Sequence, residues 1–551
     1  MKKLLALLLA AVMVLGCAAA LADEGSEPDW TGYDARIREI KETTDFAARE
    51  KLMHEAEDEL MATGAIVPIY YYNDVYMARE SLTGYYSNAY ATKFFMYADF
   101  GDKTTLRLQL ASEPDKLDPA LNSSVDGACL AANSFGGLYT YDAKGELAPN
   151  FATGVEVSED GLTYTFTIRD GLKWSDGTDL TAADFEYSWK RAANPATAAD
   201  YAYMFDGIKG YPDDLQAIAS EDGKTFTVTL NAPCAYMLDL AAFPTFFPVQ
   251  KACVEAAATA DNPGAWALEA GFVSSGAFVL ESWEHDKSMV YVKNPNYWDA
   301  ENVKLERLEF MLSDDDTAIY AAYDSGDLDF IDTVPTDKIA TLLDNPEFHI
   351  VDELGTYYVI FNVKSDMFAG KTVEQAAAMR KALSLLIDRQ YIIDTVGQTG
   401  QKIATSFIPA GMLNGNGGIF KEASAWNYPN GADGYFPEEP DVEQAIELLK
   451  SAGYEFTADN MLADSTPISF EYLTNTSSGH IAIAECMQQD FAQIGINMTI
   501  KNIDWGVFLN ERKEGNFDIA RNGWIADFND PINMLEMWST ESGNNDAQFG
   551  R

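Results

Sequence analysis

Apolar residues recur along this chain at two spacings, and the spacings alternate. Tyr33, Ile37 and Ile40 share one face of a helical wheel, and Leu52, Ala56 and Leu60 share another. Two helices are therefore predicted over 33–64, with Asp45 placed to cap the second and Gly64 to end it. The run Ile66–Tyr72 predicts a strand, which Pro68 confines to a sheet edge or a strand start. Alternating strand patterns follow at 104–110, 163–168 and 224–230, and two more lie within 273–299. Asp176-Gly177 marks a tight turn, and Thr181 to Asp184 has the form of a capping box opening a helix. Residues 307–330 read strand, helix, Gly-Asp turn, strand, and 373–396 read as a helical segment. The block 411–440, rich in Gly, Asn and Pro, reads as a long loop. Beyond it come a helix stopped by Gly453, a strand, a helix through Ala482 to Ile494, and two further strands. Strands and helices in this alternation predict an α/β protein of more than one lobe, as does a length of 551 residues.

The first 22 residues break the pattern. Lys2 and Lys3 precede an apolar stretch, Leu4 to Leu15, too short to span a bilayer, and the segment reads as an export signal. Ala20-Leu21-Ala22 has the small-x-small form of ordinary cleavage. Val14-Leu15-Gly16-Cys17 resembles a bacterial lipobox, and this reading, with lipid on Cys17, is preferred. The formal charge of −48 disfavours a nucleic-acid partner, whose phosphates it repels. The other cysteines, Cys129, Cys234, Cys253 and Cys486, form no CxxC pair and read as free thiols.

Catalytic and metal signatures are scarce. The four histidines form no HExxH motif or close pair, and no G-x-S-x-G elbow is present. Gly370-Lys371-Thr372 lacks the first glycine of a phosphate loop, since Ser365 stands there, and Asp314 to Asp316 lacks calcium-loop spacing. No cofactor is expected. One constellation differs. Residues 517–531 bring Arg521, Trp524, Asp527, Asn529 and Asp530 together, with Trp505 and Arg512 shortly before. A strand ending in Trp-x-x-Asp suits a cleft wall, where the ring supplies contact area and the carboxylate pairs with an ammonium. A structural ion pair of Asp527 with Arg521 or Arg512 is the competing reading.

Several separate blocks, in consistent spacing, carry a resemblance. "GLKWSDGTDLTAADFEYSWKR", "SSGAFVLESW", "NPNYWD", "SGDLDF", "MRKALSLLIDR" and "NGWIADFNDP" resemble the oligopeptide-binding extracellular solute-binding proteins, family 5, which serve peptide ABC importers. The resemblance implies a two-lobed, periplasmic-binding-protein-like (type II) clamp with an extra insertion domain. Set against the family, the order here reads as circularly permuted, the alternative being a gene-model error at the same join. The helices of 33–64, the I-V-P-x-Y-Y-Y run and the aromatic strand "FFMYADF" form the family's C-terminal end, yet here they come first and pass through Asp99 to Lys103 into its usual first strand. A linker of about five residues reaches roughly 17 Å, so the joined ends must be close.

The implied organisation is a signal at 1–22, a segment 23–75 docking on the second lobe, a first lobe of 76–136 with 270–354, an insertion of 137–269, and a second lobe of 355–551. The resemblance assigns Asp527 to the peptide ammonium, Arg512 and Arg521 to its carboxylate end, and Trp505 and Trp524 to cleft aromatics. Ser123, Ser124 and Val125 offer backbone partners from the other lobe, and Tyr357, Tyr358 and Asn362 lie in the strand and hinge region facing the ligand. Relatives have an acidic residue where Gly136 stands, some a glutamate at Ser123 and some a cysteine at Ile525, so length and side-chain preference are open. The implied function is capture of oligopeptides by a non-enzymatic monomer that delivers them to permease subunits. It is extracytoplasmic, lipid-anchored on the outer face of the cytoplasmic membrane or periplasmic. Nickel chelates, sugars or a signalling peptide are alternative ligands, and a secreted acidic hydrolase is a rival from another class.

Overall fold

The computed structural model describes residues 25–551 except 111, 424–425 and 431–433. The export signal and Cys17 lie outside the described residues. Helices α1 (Thr31–Glu42) and α2 (Phe46–Ala62) open the fold. Asp45 accepts from the Ala48 amide at the start of α2, and Gly64 takes a positive φ just past its end. Strand β1 (Ile66–Ala78) follows, then β2 (Thr105–Gln109) and α3 (Val125–Ser134). Strands β3 (Ala152–Val157), β4 (Thr163–Ile168), β5 (Ala217–Ala219) and β6 (Thr225–Thr229) fall within 137–269, the span expected of the insertion, as does helix α4 (Ala182–Ala193). Thr181 and Asp184 form its capping box. Next come β7 (Phe278–Glu284), β8 (Ser288–Lys293), β9 (Arg307–Met311), β10 (Phe330–Ile331) and β11 (Phe348–Phe361). Helix α5 (Val373–Leu386), β12 (Ser469–Asn475), β13 (Asn497–Ile503), α6 (Trp505–Glu514), β14 (Ile519–Ile525) and α7 (Ile532–Glu536) complete the elements used below. The block 411–440 is loop except for a short helix, Phe420–Ala423.

One mixed sheet runs through both lobes, in the order β7-β8-β9-β2-β10-β1-β11-β14-β12-β13, with residues 402–403 also pairing with β1. A second sheet, β3-β4-β6-β5, forms the insertion. The two lobes are joined by β1 and β11. These have 13 and 14 residues, about twice the usual strand, and each reaches roughly 43–46 Å. Near Ile66 the pair lies beside β14, and near Met77 it lies beside β10. Its register shifts at Pro68/Tyr70 and Tyr71/Asn73, where the lobes meet. The expectation for Pro68 is corrected here. It is the third residue of a central strand, tolerated next to a register shift where the regular ladder is already interrupted.

A buried polar cluster occupies this junction. Lys93, 1 % exposed, lies 2.9 Å from Asp74 on β1 and 3.0 Å from Asp332 after β10. Glu353 on β11 is buried beside them, and one of its oxygens has no partner. Burial first, then the neighbouring Asp74, hold its carboxyl well above the usual range.

Helices α1 and α2 pack on the far end of the chain. The Trp30 indole donates to the Trp538 carbonyl and the Tyr33 hydroxyl to the Leu535 carbonyl, both at 2.8 Å. Arg49 donates two 2.8 Å bonds to Asp530, and Trp30 stacks on Phe549 at 4.0 Å. Apolar burial drives this docking: Tyr33 and Ile40 are fully covered. Among the described residues, the four cysteines are free thiols and no helix is long and apolar enough to cross a membrane.

Candidate functional site

The lobes meet across a cavity of about 250 Å³, and β14 runs along its wall. Trp524 to Asp527 line it from the second lobe. Asn122 to Val125, at the N-terminus of α3, line it from the first lobe, and Tyr201 and Phe243 come from the insertion. Ser124 caps α3 by accepting from the Gly127 amide, and its own amide donates to Asn122. That turn holds Ser123 and Val125 at the cavity.

Asp527 is oriented by three hydrogen bonds. Its amide donates to Oδ1 of Asn533 at 3.0 Å, the Asn533 amide nitrogen donates back to its carboxylate at 2.8 Å, and the Tyr201 hydroxyl donates to it at 3.1 Å. Asn533, on α7, also accepts from the Trp524 indole at 3.0 Å. One buried asparagine thus fixes both the ring and the carboxylate. No cation lies within 4 Å of Asp527 among the described residues. Burial pushes its carboxyl up to about 7, against the lowering effect of the Asn533 and Tyr201 bonds. A desolvated carboxylate without a cation is a site that gains by receiving one.

The competing ion pair with Arg512 or Arg521 is not formed. Arg512 is held at 2.7 Å by Asp546, away from the cavity. Arg521 projects into an aromatic cage, with its guanidinium 5.7 Å from the Tyr357 ring, 5.6 Å from Trp505 and 6.0 Å from Phe508. No carboxylate lies within 4 Å of it among the described residues. Burial of His480, beside Tyr357, and then the Arg521 charge keep its ring well below the usual histidine range, so that ring is neutral.

The structure therefore brings together Asp527, Trp524, Ser123, Ser124 and Val125 at one cavity. Arg521, Trp505 and Tyr357 form an adjoining cluster. Tyr358 packs on the other face of β11 against Phe407 and Trp538, and Asn362 lies past the end of β11, bonded to the Gly515 carbonyl. Neither lines the cavity.

Contacts across the cleft bring the lobes together. Lys513 donates to Ser123 at 2.5 Å and pairs with Asp200, and Lys41 lies 2.7 Å from Asp206 and 2.6 Å from Glu536. Tyr236 stacks on Phe528 at 4.3 Å. Tyr201, Asn533 and Lys513 were not singled out by the sequence. Tyr201 is distant in sequence from the residues it serves, and Asn533 carries no signal beyond lying six residues after Asp527.

The chain is similar to known proteins over most of its length. Residues 146–546 match the model described as bacterial extracellular solute-binding proteins, family 5 Middle. The oligopeptide-binding protein OppA of Bacillus subtilis is 32% identical over 464 residues, 81% of this chain and 79% of that protein. The periplasmic murein peptide-binding protein MppA of Escherichia coli is 32% identical over 477 residues, 83% and 82% of the two chains. Among solved structures, Listeria monocytogenes OppA bound to peptide superposes with a TM-score of 0.71 at 27% identity, covering 82% of this chain and 86% of that one.

Proposed function

The chain belongs to the bacterial extracellular solute-binding proteins, family 5, and from that premise we propose that it captures oligopeptides in the interlobe cleft for an ABC importer. The observation that carries this reading is Asp527, a carboxylate without a cation, aimed at a cavity between two lobes. In this reading Asp527 takes the peptide's α-ammonium. The edge of β14 at 523–525 that does not pair with β11 and the α3 turn at 123–125 pair with the peptide main chain, as in strand addition. Arg521 supplies positive charge toward the carboxylate end. Recognition of main chain and terminus, features common to all peptides, serves many sequences.

The role is binding without chemistry: the peptide leaves as it arrived. Relatives named for oligopeptides, dipeptides and a murein peptide support the ligand class. The protein works outside the cytoplasm, anchored by lipid on Cys17 and acting as a monomer that presents closed lobes to the permease. The way 30–78 is used, as helices packed on 530–549 and a strand at the sheet's centre, supports the circularly permuted order.

The test is calorimetry with peptides bearing free or acetylated N-termini. A charge-assisted bond is worth about 1.5–3 kcal/mol, so Asp527→Ala weakens free-terminus peptides roughly 10- to 150-fold. Acetylated peptides bind weakly to both proteins. Equal loss for the two peptide types, or no loss, refutes the assignment.

A further inference from the structure

The cavity wall opposite Asp527 has a chemistry of its own. It is built by the first lobe and the insertion, largely from aromatic residues: Tyr86, Tyr90, Tyr97, Tyr141, Tyr297 and Trp298. A wall of tyrosines is ambiguous in itself, because a hydroxyl can turn toward a ligand and greet a polar group. Here four of the six polar tips are already engaged. The Tyr86 hydroxyl donates to the Tyr141 carbonyl at 3.1 Å, the Tyr141 hydroxyl to Asp239 at 2.8 Å and the Tyr97 hydroxyl to Asp299 at 2.8 Å. The Trp298 indole donates to Asn150 at 3.0 Å. Tyr90 packs at an angle on Tyr141 and Tyr297 on Trp298, with ring centres 5.0 and 5.9 Å apart. With four tips held by protein, these rings offer the cavity carbon.

Charge narrows the choice further. Among the described residues, no lysine, arginine or histidine lines this cavity, and its two ionisable side chains other than tyrosine are Asp142 and Asp527. Asp142 accepts backbone bonds from Lys144 and Glu146, which hold its carboxyl below the usual range and keep it ionised. An acidic ligand side chain therefore meets two carboxylates and no counter-charge. A cationic one meets a Trp298 ring that already faces a cation on one side, since the Arg169 guanidinium lies 3.8 Å from its centre. Size permits a large group: a dry cavity of about 150 Å³ holds a benzene ring, and this one is about 250 Å³.

We propose that this wall is a side-chain pocket selecting a bulky apolar or aromatic residue within the first three positions of the peptide, next to the ammonium held by Asp527. The proposal rests on the peptide-binding reading above and adds a selectivity that main-chain recognition does not supply. The pocket adjoins Asp527 directly. An extended ligand advances about 3.3 Å per residue, and its side chains alternate between faces, so the selected side chain lies close to the N-terminus.

The test is a set of tripeptides with free termini, Ala-Ala-Ala and its variants with a single Phe, Lys or Glu at each position, titrated into protein stripped of co-purified ligand. At one position Phe binds roughly 10- to 100-fold tighter than Ala, as expected for burying one aromatic side chain, and Glu there binds more weakly than Ala. Ala128→Phe, which fills the pocket from α3, brings the Phe-to-Ala ratio at that position toward one. Equal binding of Phe, Lys and Glu everywhere, or a preference for Lys or Glu, overturns the pocket and leaves the peptide-binding reading standing. Failure of every tripeptide and of longer peptides to bind overturns both.

Discussion

Arg49 and Asp530 lie 481 residues apart in sequence and tie α2 to the loop before α7. Asp530 is 1 % exposed and Arg49 8 %. Both Asp530 oxygens accept from the guanidinium at 2.8 Å, and one also accepts from the Ile532 amide at 3.1 Å. Arg49→Met removes two charge-assisted bonds and leaves a carboxylate in the interior. Breaking a buried pair from one side costs about 3–5 kcal/mol, most of it the stranded charge. Arg49→Met/Asp530→Asn removes that charge while keeping an acceptor for Ile532, and it recovers more than half of the loss. The assay is urea unfolding followed by tryptophan emission, because Trp30 and Trp538 touch at this junction. Hydrogen exchange over 31–62 tells whether α1 and α2 come away first. A single variant that loses under about 1 kcal/mol, or a double variant no more stable than the single, refutes the claim that a buried charge pair holds this segment.

Two further outcomes follow from buried acids. Because the Asp527 carboxyl sits at about 7, protons compete with the ligand ammonium below that pH. Affinity for free-terminus peptides is greatest near pH 7–8; it falls by up to roughly ten-fold per unit below 7 as Asp527 takes up a proton, and falls again above about 8 as the peptide ammonium loses one, and calorimetry of Asp527→Asn shows no slope on the acid side. Glu353, raised by burial, favours the folded state while protonated, below its unfolded value, and that stability is lost as pH rises through its folded value. Glu353→Gln is therefore more stable than the parent at pH 8 in urea titrations, the gap opening by at most about 1.4 kcal/mol per pH unit from a near-zero difference at low pH.

The helical spacing of Tyr33, Ile37 and Ile40 and the capping Asp45 were legible because local periodicity and a cap report on one element alone. The full length of β1 was not. Its apolar run ends at Asn73-Asp74, which looks like a strand terminus, yet the strand continues to Ala78. Those polar residues have partners outside the strand: Asn73 exchanges hydrogen bonds with the distant Thr399, and Asp74 pairs with Lys93. The pattern breaks there because the lobes join there. The candidate site divides the same way. Trp524 and Asp527, three residues apart, stood out together, whereas Tyr201 and Lys513 gain meaning only when the insertion folds over the second lobe. The distinction between Tyr357, facing Arg521, and Tyr358, in the core, depends on which face of β11 each occupies.

Two uninterrupted ribbons crossing from one half of the molecule to the other behave as a leaf spring. The ladder between them is already irregular at the two register shifts, so these are the places where bending disturbs the fewest ladder bonds. Such a hinge leaves both halves folded, and the contacts of Lys513 with Ser123 and Asp200 are what opening must break.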